Sequence, residues 1–290
     1  TEKLILDMAR KSLVGKARAR PDLVQRVLQK VRQEGLLTTV EQVREKLSAP
    51  VPLGYSCAGI VEDAAGAEHL LPGMRVACAG AGYACHAEMN WVPRNLVVPI
   101  PDGVSLEQAS FSTIGPPALQ AVRQAEIRLG DRVVVIGLGL IGNLCAQLAR
   151  AHGARVFGYD LDPGRLDLGA ALGCAQVSAD PEAVLEQVLA FSDGHGADAV
   201  IVAASAAGNS GPLALAVDLA RLRGKVVVVG FVGMEVPRNE AYMKEIDVRM
   251  SMSYGPGRYD PAYEERGEDY PYAYVRYTEQ RNMQTFLEAV

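Results

Sequence analysis

The 290-residue sequence lacks the features that define several other classes of protein. Its 29 lysines and arginines are outnumbered by 34 aspartates and glutamates, so no basic surplus is available to attract a nucleic-acid backbone. No apolar run approaches the ~20 residues of a membrane-spanning helix, and the first residues have no signal-peptide pattern. We therefore expect a cytoplasmic protein with no nucleic-acid partner and no membrane span.

The cysteines lack the spacing of a disulfide framework or of a structural zinc site. None of the five belongs to a Cys-x-x-Cys pair, and their number is odd. They are Cys57, Cys78, Cys85, Cys145 and Cys174. Reduced thiols agree with a cytoplasmic location. Because Thr1 leads directly into a helical pattern, we also expect that a preceding segment is missing.

The sequence pattern changes along the chain and predicts two lobes and a tail. Apolar residues at helical spacing predict three short helices between Glu2 and Leu47. Short β-like runs separated by glycine and proline predict a small β lobe from Pro50 to Pro101. We divide the chain into residues 1–117, a helical insertion with a β catalytic lobe, residues 118–255, a dinucleotide-binding domain, and residues 256–290, a tyrosine-rich tail.

A strict alternation of strands and helices begins at Leu129. Helices are predicted from Leu140, Pro163, Pro181 and Gly211, and the last of them runs to Arg223. Each is flanked by an apolar strand. Alternating strands and helices with short connections predict a doubly wound parallel sheet, so the fold class is α/β.

The stretch "VVVIGLGLIG" contains Gly-x-Gly-x-x-Gly at Gly137, Gly139 and Gly142. It follows a β-branched strand, opens a helix and precedes an acidic residue, Asp160, at the end of the next strand, and this context strengthens an otherwise weak motif. The glycines permit a tight turn, close approach of a pyrophosphate and close packing of helix on strand. The turn residues Leu140 and Ile141 complete the predicted phosphate site.

Acidic residues after the second strand favour NAD over NADP. Asp160 is expected to accept hydrogen bonds from the adenosine ribose, and its charge, with that of Asp162, repels a 2′-phosphate; Arg165 is nearby but lies beyond both acids. The later strand ends at the same sheet edge are expected near the nicotinamide. The cofactor residues predicted there are Ala204, Ser205, Gly230 and Phe231.

The stretches "GMRVACAGAGYACHAE", "GDRVVVIGLGLIGN" and "GHGADAVIVAAS" resemble the medium-chain dehydrogenase/reductase family, which includes zinc alcohol dehydrogenases and zinc-free quinone reductases. The resemblance covers roughly residues 50–252 and implies a GroES-like β lobe beside a Rossmann domain. The flanks are similar to a narrower group, the bi-domain oxidoreductases of glycan-biosynthesis clusters. Those proteins carry a second oxidoreductase half, which this sequence does not contain.

The resemblance places Tyr55 and Thr113 where zinc members of the family have metal ligands, and the loop of four cysteines that holds a structural zinc is absent. We therefore predict no metal. An alternative set of Cys57, Cys78, Cys85 and His86 is disfavoured, because we expect the adjacent Cys85 and His86 to point to opposite faces of a strand.

Tyr55 has two interpretations, and so does the tail. Tyr55 is a candidate acid for the substrate oxygen, with Thr113 and His86 completing the predicted catalytic set, or it only fills the volume of a lost metal site. Further candidates for the acid are Tyr83, Tyr254, Arg258 and Tyr259. Seven of the eleven tyrosines lie between Ser253 and Arg281, where they either pack the tail over the lobe junction or line a substrate cleft.

The function that these patterns favour is a zinc-independent, NAD-dependent oxidoreductase acting on a carbonyl or alcohol, which the resemblance extends to a sugar derivative. One alternative is a silent NAD-binding lobe that serves as a scaffold or redox sensor for another oxidoreductase. Another is a quinone or enoyl reductase. The expected partners are a small-molecule substrate and either a second copy of the chain or a partner oxidoreductase domain.

Overall fold

The computed structural model describes residues 52–290 continuously and, before them, residues 10–12, 15, 18, 24, 27, 31, 35 and 43. The three helices predicted between Glu2 and Leu47 therefore lie almost entirely outside the described residues. Within the described residues, no helix has the length and apolar character needed to cross a bilayer.

A small antiparallel sheet forms the β lobe. Its strands are β1 (Ser56–Ile60), β2 (Arg75–Ala79) and β3 (Val97–Pro99), in the order β1-β2-β3. Side chains alternate across β2, so Ala77 and Ala79 pack toward the rest of the molecule while Val76 and Cys78 pack into a separate outer cluster. The predicted β lobe is confirmed.

Nine α-helices lie between Leu106 and the C-terminus. They are α1 (Leu106–Ala109), α2 (Gly115–Ala125), α3 (Leu140–Ala151), α4 (Pro163–Ala171), α5 (Val184–Phe191), α6 (Gly211–Leu219), α7 (Arg238–Met243), α8 (Pro261–Glu264) and α9 (Glu279–Ala289). The predicted cap at Asp162 is present, because its side chain accepts hydrogen bonds from the amides of Gly164 and Arg165 at the start of α4.

The second sheet has six strands. They are β4 (Arg132–Ile136), β5 (Arg155–Tyr159), β6 (Gln176–Ser178), β7 (Ala197–Val202), β8 (Ala220–Val228) and β9 (Asp247–Met250). All neighbours are parallel, and the order is β6-β5-β4-β7-β8-β9. This is the strand order of a Rossmann fold, with its change of direction between β4 and β7. The predicted doubly wound sheet is confirmed.

Helices cover both faces of this sheet. Val134 and Ile136 of β4 pack on one side with α5 and α6, whereas Val133 and Val135 pack on the other with α2 and α3. Each buried valine contributes roughly 1.5 to 3 kcal/mol relative to an exposed one. The run of β-branched residues in β4 is continuous rather than alternating because both faces are buried.

Two helix boundaries differ from the prediction. The helix expected to reach Arg223 ends at Leu219, and Ala220 already pairs with Ala197 in β8. The pairing then shifts to Ala199 with Lys225, so the intervening residues form a bulge in which Arg223 has φ 58°. The helix expected from Pro181 begins instead at Val184, after a turn whose amides bond to Asp180.

The tail packs across the junction of the two sheets. Met283, Phe286 and Leu287 of α9 share a buried cluster with Ala77 and Ala79 of β2. A Cβ on Gly115, the first residue of α2, would lie 2.1 Å from the Phe286 ring, so α9 also rests directly on α2. Among the tail tyrosines, the packing interpretation applies to Tyr254 and Tyr263, which are 7% and 1% exposed, whereas four others are exposed: Tyr259, Tyr272, Tyr274 and Tyr277. The division at residues 117/118 and 255/256 stays a prediction, and α2 runs through the first boundary.

Candidate active site

The glycine turn after β4 is formed by backbone contacts that exclude larger residues. Gly137 has φ 91°, and a Cβ there would lie 2.7 Å from the Ala204 amide nitrogen at the end of β7. A Cβ on Gly142 would lie 1.7 Å from the Gly137 carbonyl oxygen, so α3 starts directly against the turn. Around Gly139, in contrast, a Cβ would meet nothing within 4 Å.

Gly139 is the N-cap of α3, and no side chain caps this helix. The first amides of α3 therefore keep their capacity to bind an anion at the positive end of the helix. Leu140, the next residue, is 62% exposed, and Ile141 is half-buried. The tight turn and the close helix packing are those expected for a pyrophosphate site.

The Asp160 carboxylate ties this turn to the end of β5. Asp160 is 7% exposed, and its Oδ2 accepts a hydrogen bond of 2.7 Å from the Leu138 amide inside the turn. Its Oδ1 accepts one of 2.9 Å from the Asp162 amide. A carboxylate oxygen has two acceptor sites, so capacity remains for a hydroxyl group.

Arg165 lies closer to the acids than the sequence suggested. Its Nη1 is 3.4 Å from Asp160 Oδ2, and its Nε is 3.8 Å from Asp162 Oδ2. The guanidinium therefore offsets part of the negative charge on which the predicted exclusion of a 2′-phosphate depends. Arg165 is also half-exposed, with its side chain at 54%, and is available to a ligand at this edge.

The ends of β7 and β8 continue the same edge. The Gly230 amide donates to the Val202 carbonyl oxygen at 2.9 Å, and a Cβ on Gly230 would lie 1.9 Å from the Ala204 carbonyl oxygen. Ser205 is exposed, and Phe231 is 74% exposed. The predicted cofactor residues thus lie at the carboxyl ends of β4, β5, β7 and β8, at the change of strand direction where Rossmann folds bind ligands.

Tyr254 lies near Thr113 and within electrostatic range of Tyr55, and we call these three residues the hydroxyl cluster. The pKa of Tyr254 is raised to about 12, chiefly by burial; Arg258 and the Thr113 hydroxyl lower it, and Tyr55 raises it. Tyr55 lies at the start of β1, and Thr113, which is 1% exposed, precedes α2. Two of the predicted catalytic residues thus act electrostatically on Tyr254, which the sequence offered only as a further candidate.

His86, the third predicted catalytic residue, lies on an exposed loop beside Tyr55. The loop is held by the His86 amide, which donates to the Leu53 carbonyl oxygen at 2.8 Å. Gly54 has φ 100°, and a Cβ there would lie 2.7 Å from the His86 amide nitrogen. The turn that places Tyr55 therefore depends on this glycine. The catalytic roles of Tyr55, Thr113 and His86 stay predictions.

A buried charged cluster next to Tyr254 was missed in the sequence. Glu279 is fully buried at the start of α9, and its pKa is raised to about 8, chiefly by burial and then by Glu264, while Arg258 lowers it. Glu264 accepts hydrogen bonds from Arg258 Nη1 and, at 3.0 Å, from the Tyr259 amide. In the sequence, Glu279 has the appearance of an ordinary acid in an exposed first turn.

The residues of the hydroxyl cluster are not usual zinc ligands. Zinc in proteins takes cysteine, histidine and carboxylate ligands, whereas Tyr55 and Thr113 supply hydroxyls. Among residues 52–290 and the ten described before them, no group of three His, Cys, Asp or Glu side chains could hold a metal. This also applies to the alternative set of three cysteines and His86. The absence of zinc from the protein stays a prediction that elemental analysis tests.

Comparison with known proteins agrees with this geometry. Residues 141–266 match the family model described as zinc-binding dehydrogenase. A probable zinc-binding alcohol dehydrogenase from Mycobacterium tuberculosis is 35% identical over 162 residues, which cover 54% of this chain and 41% of that protein. The L-idonate 5-dehydrogenase of Vitis vinifera is 28% identical over 233 residues, covering 69% and 63%.

A solved structure of a similar protein has the same fold. The zinc-binding dehydrogenase of Sinorhizobium meliloti, determined with NADP bound, superimposes with a TM-score of 0.64 at 22% identity, covering 83% of this chain and 74% of that one. Residues 141–266, less than half of the chain, are thus similar to the zinc-binding dehydrogenase family, and the two curated relatives match 54% and 69% of the chain. The chain spans less than two thirds of the length of the two curated relatives described above.

Proposed function

We propose that the protein is an NAD(H)-dependent oxidoreductase that transfers a hydride between the nicotinamide and a carbonyl or alcohol group. The observation that carries this proposal is the glycine turn, in which Gly137 and Gly142 lie against backbone atoms and Asp160 bonds to the Leu138 amide. A turn of this kind at the change of strand direction suits a dinucleotide.

Each part of the sheet edge has a role in holding the cofactor. The uncapped start of α3 binds the pyrophosphate, and the open space around Gly139 admits it. Asp160 accepts hydrogen bonds from the adenosine ribose. The ends of β7 and β8, with Ala204, Ser205, Gly230 and Phe231, border the nicotinamide, which supplies or accepts the hydride when the cofactor is bound.

The protein's own residues handle the proton. During reduction the carbonyl carbon gains the hydride, the C=O electron pair moves to oxygen, and the Tyr55 hydroxyl donates a proton to that oxygen; oxidation reverses these movements. Thr113 and Tyr254, whose side chains interact with each other, help to position the substrate oxygen. No step depends on a metal, because the hydroxyls of Tyr55 and Thr113 do not fit zinc.

The substrate class is a polyol or a sugar derivative. Two likenesses support it: the resemblance of the flanks to bi-domain oxidoreductases of glycan-biosynthesis clusters and the similarity to an L-idonate 5-dehydrogenase. By the same resemblance, the partner is a second oxidoreductase domain or another copy of the chain.

A silent NAD-binding lobe is the second candidate function. It is favoured by the burial of Thr113 and Tyr254, which are 1% and 7% exposed. A redox sensor of this kind binds the cofactor but consumes none. A quinone or enoyl reductase is the third candidate and would reduce conjugated double bonds but not simple carbonyls.

One experiment separates the three. NADH oxidation is followed with the purified protein and a panel of ketoses, aldoses, simple ketones, quinones and enones, alongside direct measurement of NADH binding. Turnover with a sugar or simple carbonyl supports the proposal. Binding without turnover favours the sensor, turnover only with quinones or enones favours the third candidate, and absence of binding contradicts all three.

A further inference from the structure

Two cysteines of the β lobe face each other across an antiparallel strand pair. Cys57 of β1 is the register partner of Cys78 of β2. Directly opposed residues in an antiparallel pair have Cα atoms about 4.5 to 5.5 Å apart and side chains on the same face. A disulfide spans Cα separations of about 4.4 to 6.8 Å. The strand pair therefore already holds the two cysteines at the separation that a disulfide requires.

The packing of β2 shows which face the thiols occupy. Cys78 belongs to the outer cluster with Val76 and Val97, and Cys57 packs against the same cluster. A cavity of about 720 Å³, bordered by both cysteines and by Asn90 and Trp91, lies on this side of the sheet. Cys57 is half-buried and Cys78 is 8% exposed. A small reagent can therefore reach Cys57 first.

Each of the two thiols also shifts the pKa of the other. A hydrogen bond from the Cys78 thiol lowers the pKa of Cys57, although burial raises it. The same hydrogen bond and burial raise the pKa of Cys78. The Asn90 amide nitrogen lies 3.8 Å from Cys57 Sγ and donates to it. The pair thus favours a thiolate on Cys57, and the thiolate is the form that attacks disulfides.

We propose that Cys57 and Cys78 are a site of reversible oxidation, at which a small disulfide converts the facing thiols into an intramolecular disulfide between β1 and β2. The Cys57 thiolate attacks one sulfur of the oxidant and expels a thiolate, which leaves a mixed disulfide on Cys57. Cys78 loses its proton, attacks Cys57 Sγ and expels the second thiolate. Two cysteine thiols are oxidised, and one small disulfide is reduced to two thiols.

The remaining cysteines lack this arrangement. Cys145 and Cys174 are buried against the Rossmann sheet, and burial raises their pKa values to about 12 and about 11. Cys85 is half-buried on the loop that bonds to Asn90 through its backbone. It is the one competitor for Cys57 on this side of the sheet among the described residues, so the test has to separate it from Cys78.

The disulfide would fix the strand that leads away from Tyr55. Tyr55 directly precedes β1, and its carbonyl oxygen accepts a hydrogen bond of 3.0 Å from the Gly80 amide just after β2. The cross-link lies two residues along each strand from this bond. The oxidation site itself does not depend on the proposed enzymatic function.

The test treats the reduced 290-residue chain with oxidised glutathione at neutral pH. Free thiols are then alkylated under denaturing conditions and the peptides are mapped by mass spectrometry. We expect the five alkylatable cysteines to fall to three, with a cross-linked peptide that joins Cys57 to Cys78. Reduction with dithiothreitol restores all five.

Single variants identify the attacking thiol and the competitor. Cys78→Ala is expected to retain one glutathione on Cys57, Cys57→Ala is expected to leave Cys78 unmodified, and Cys85→Ala is expected to form the cross-link as the wild type does. The proposal is overturned if the oxidised wild type keeps five free thiols, carries only glutathione adducts, or forms a cross-link through Cys85.

Discussion

The glycine turn and the hydroxyl cluster beside the β lobe form two parts of one candidate site, but they are constructed in opposite ways. The turn consists of neighbouring backbone segments that touch, as where Gly137 meets Ala204 and Gly142 meets Gly137. The hydroxyl cluster consists of side chains from distant segments, namely Tyr55, Thr113 and Tyr254. Backbone geometry leaves a motif in the sequence, whereas a long-range meeting of side chains leaves none. In the proposed function, the first part binds the cofactor and the second part handles the proton.

The largest effect is expected at Tyr55. Tyr55→Phe keeps the ring and removes the hydroxyl, so kcat should fall by about 10² to 10⁴-fold, the usual contribution of a general acid. NAD affinity should not change, because Tyr55 belongs to the hydroxyl cluster and does not lie at the glycine turn. Steady-state kinetics with the best substrate of the panel and a separate NAD titration measure the two quantities.

Tyr274→Phe is the matched control, because Tyr274 is 88% exposed in the tail and should retain wild-type turnover. If Tyr55→Phe also turned over at the wild-type rate, Tyr55 would be packing only, and Tyr254 would become the first alternative acid.

Glu279 should make stability depend on pH. Its pKa in the folded protein is raised to about 8, first by burial and then by Glu264, with Arg258 opposing; Tyr254 and Tyr263 also face this cluster. A raised pKa means that the folded state holds the proton more tightly. The stability is therefore fully present below about pH 4.5 and is lost as pH rises toward about 8.

Chemical denaturation at about pH 5 and about pH 8.5 should show a loss on the order of 4 kcal/mol in the wild type and a much smaller loss in Glu279→Gln. Glu288→Gln, at the exposed end of the same helix, should behave as the wild type does. Equal pH dependence in Glu279→Gln and the wild type would show that Glu279 ionises normally.

At the glycine turn, Asp160→Ala should lower NAD affinity by roughly tenfold or more, because a charge-assisted hydrogen bond contributes ~1.5 to 3 kcal/mol. The wild type should prefer NAD to NADP. Arg165 lies 3.4 Å from Asp160 and weakens this preference, so the ratio of the two dissociation constants is the informative quantity. Equal constants in the wild type would contradict the predicted preference.

Asp162→Ala is the control for that measurement. Asp162 caps α4 and is exposed, so its loss should cost about 0.5 to 2 kcal/mol of stability while NAD affinity is maintained.

The smallest expected signal is the zinc content, because we expect the protein to bind no zinc. Protein purified without chelator should contain well under one zinc per chain by elemental analysis, because Tyr55 and Thr113 stand where the resemblance to zinc enzymes places metal ligands. A stoichiometric metal would contradict this and would direct attention to Cys57, Cys78, Cys85 and His86.

The Rossmann domain was predictable because its signals are local. β-branched strands such as β4, capped helices such as α4 and the spacing of three glycines are each contained within a few residues. The boundary of α6 was not predictable in this way, because Ala220 joins β8 only through its pairing with Ala197 across the sheet. Tertiary pairing there overrides a helical periodicity that continues to Arg223.

The second part of the site was predictable only as separate candidates. The resemblance indicated Tyr55 and Thr113, but the position of Tyr254 in the hydroxyl cluster depends on how the tail packs on α2. The burial of Glu279 likewise depends on α9 lying between the two lobes. Cys57 and Cys78 face each other because of the register of β1 and β2, and the loop from Val61 to Met74 sets this register. The spacing of the cysteines in the sequence does not reveal it.

The central claim is that the glycine turn binds the dinucleotide. The most direct test is a calorimetric titration of the wild type and of Gly139→Ala with NAD, together with a thermal melt of each. A Cβ on Gly139 meets nothing in the protein, so the variant should melt as the wild type does and lose affinity only because the pyrophosphate needs that space. The account predicts one-to-one binding by the wild type and at least tenfold weaker binding by the variant, roughly 1.4 kcal/mol or more. Equal affinities, or no binding by the wild type, would contradict it.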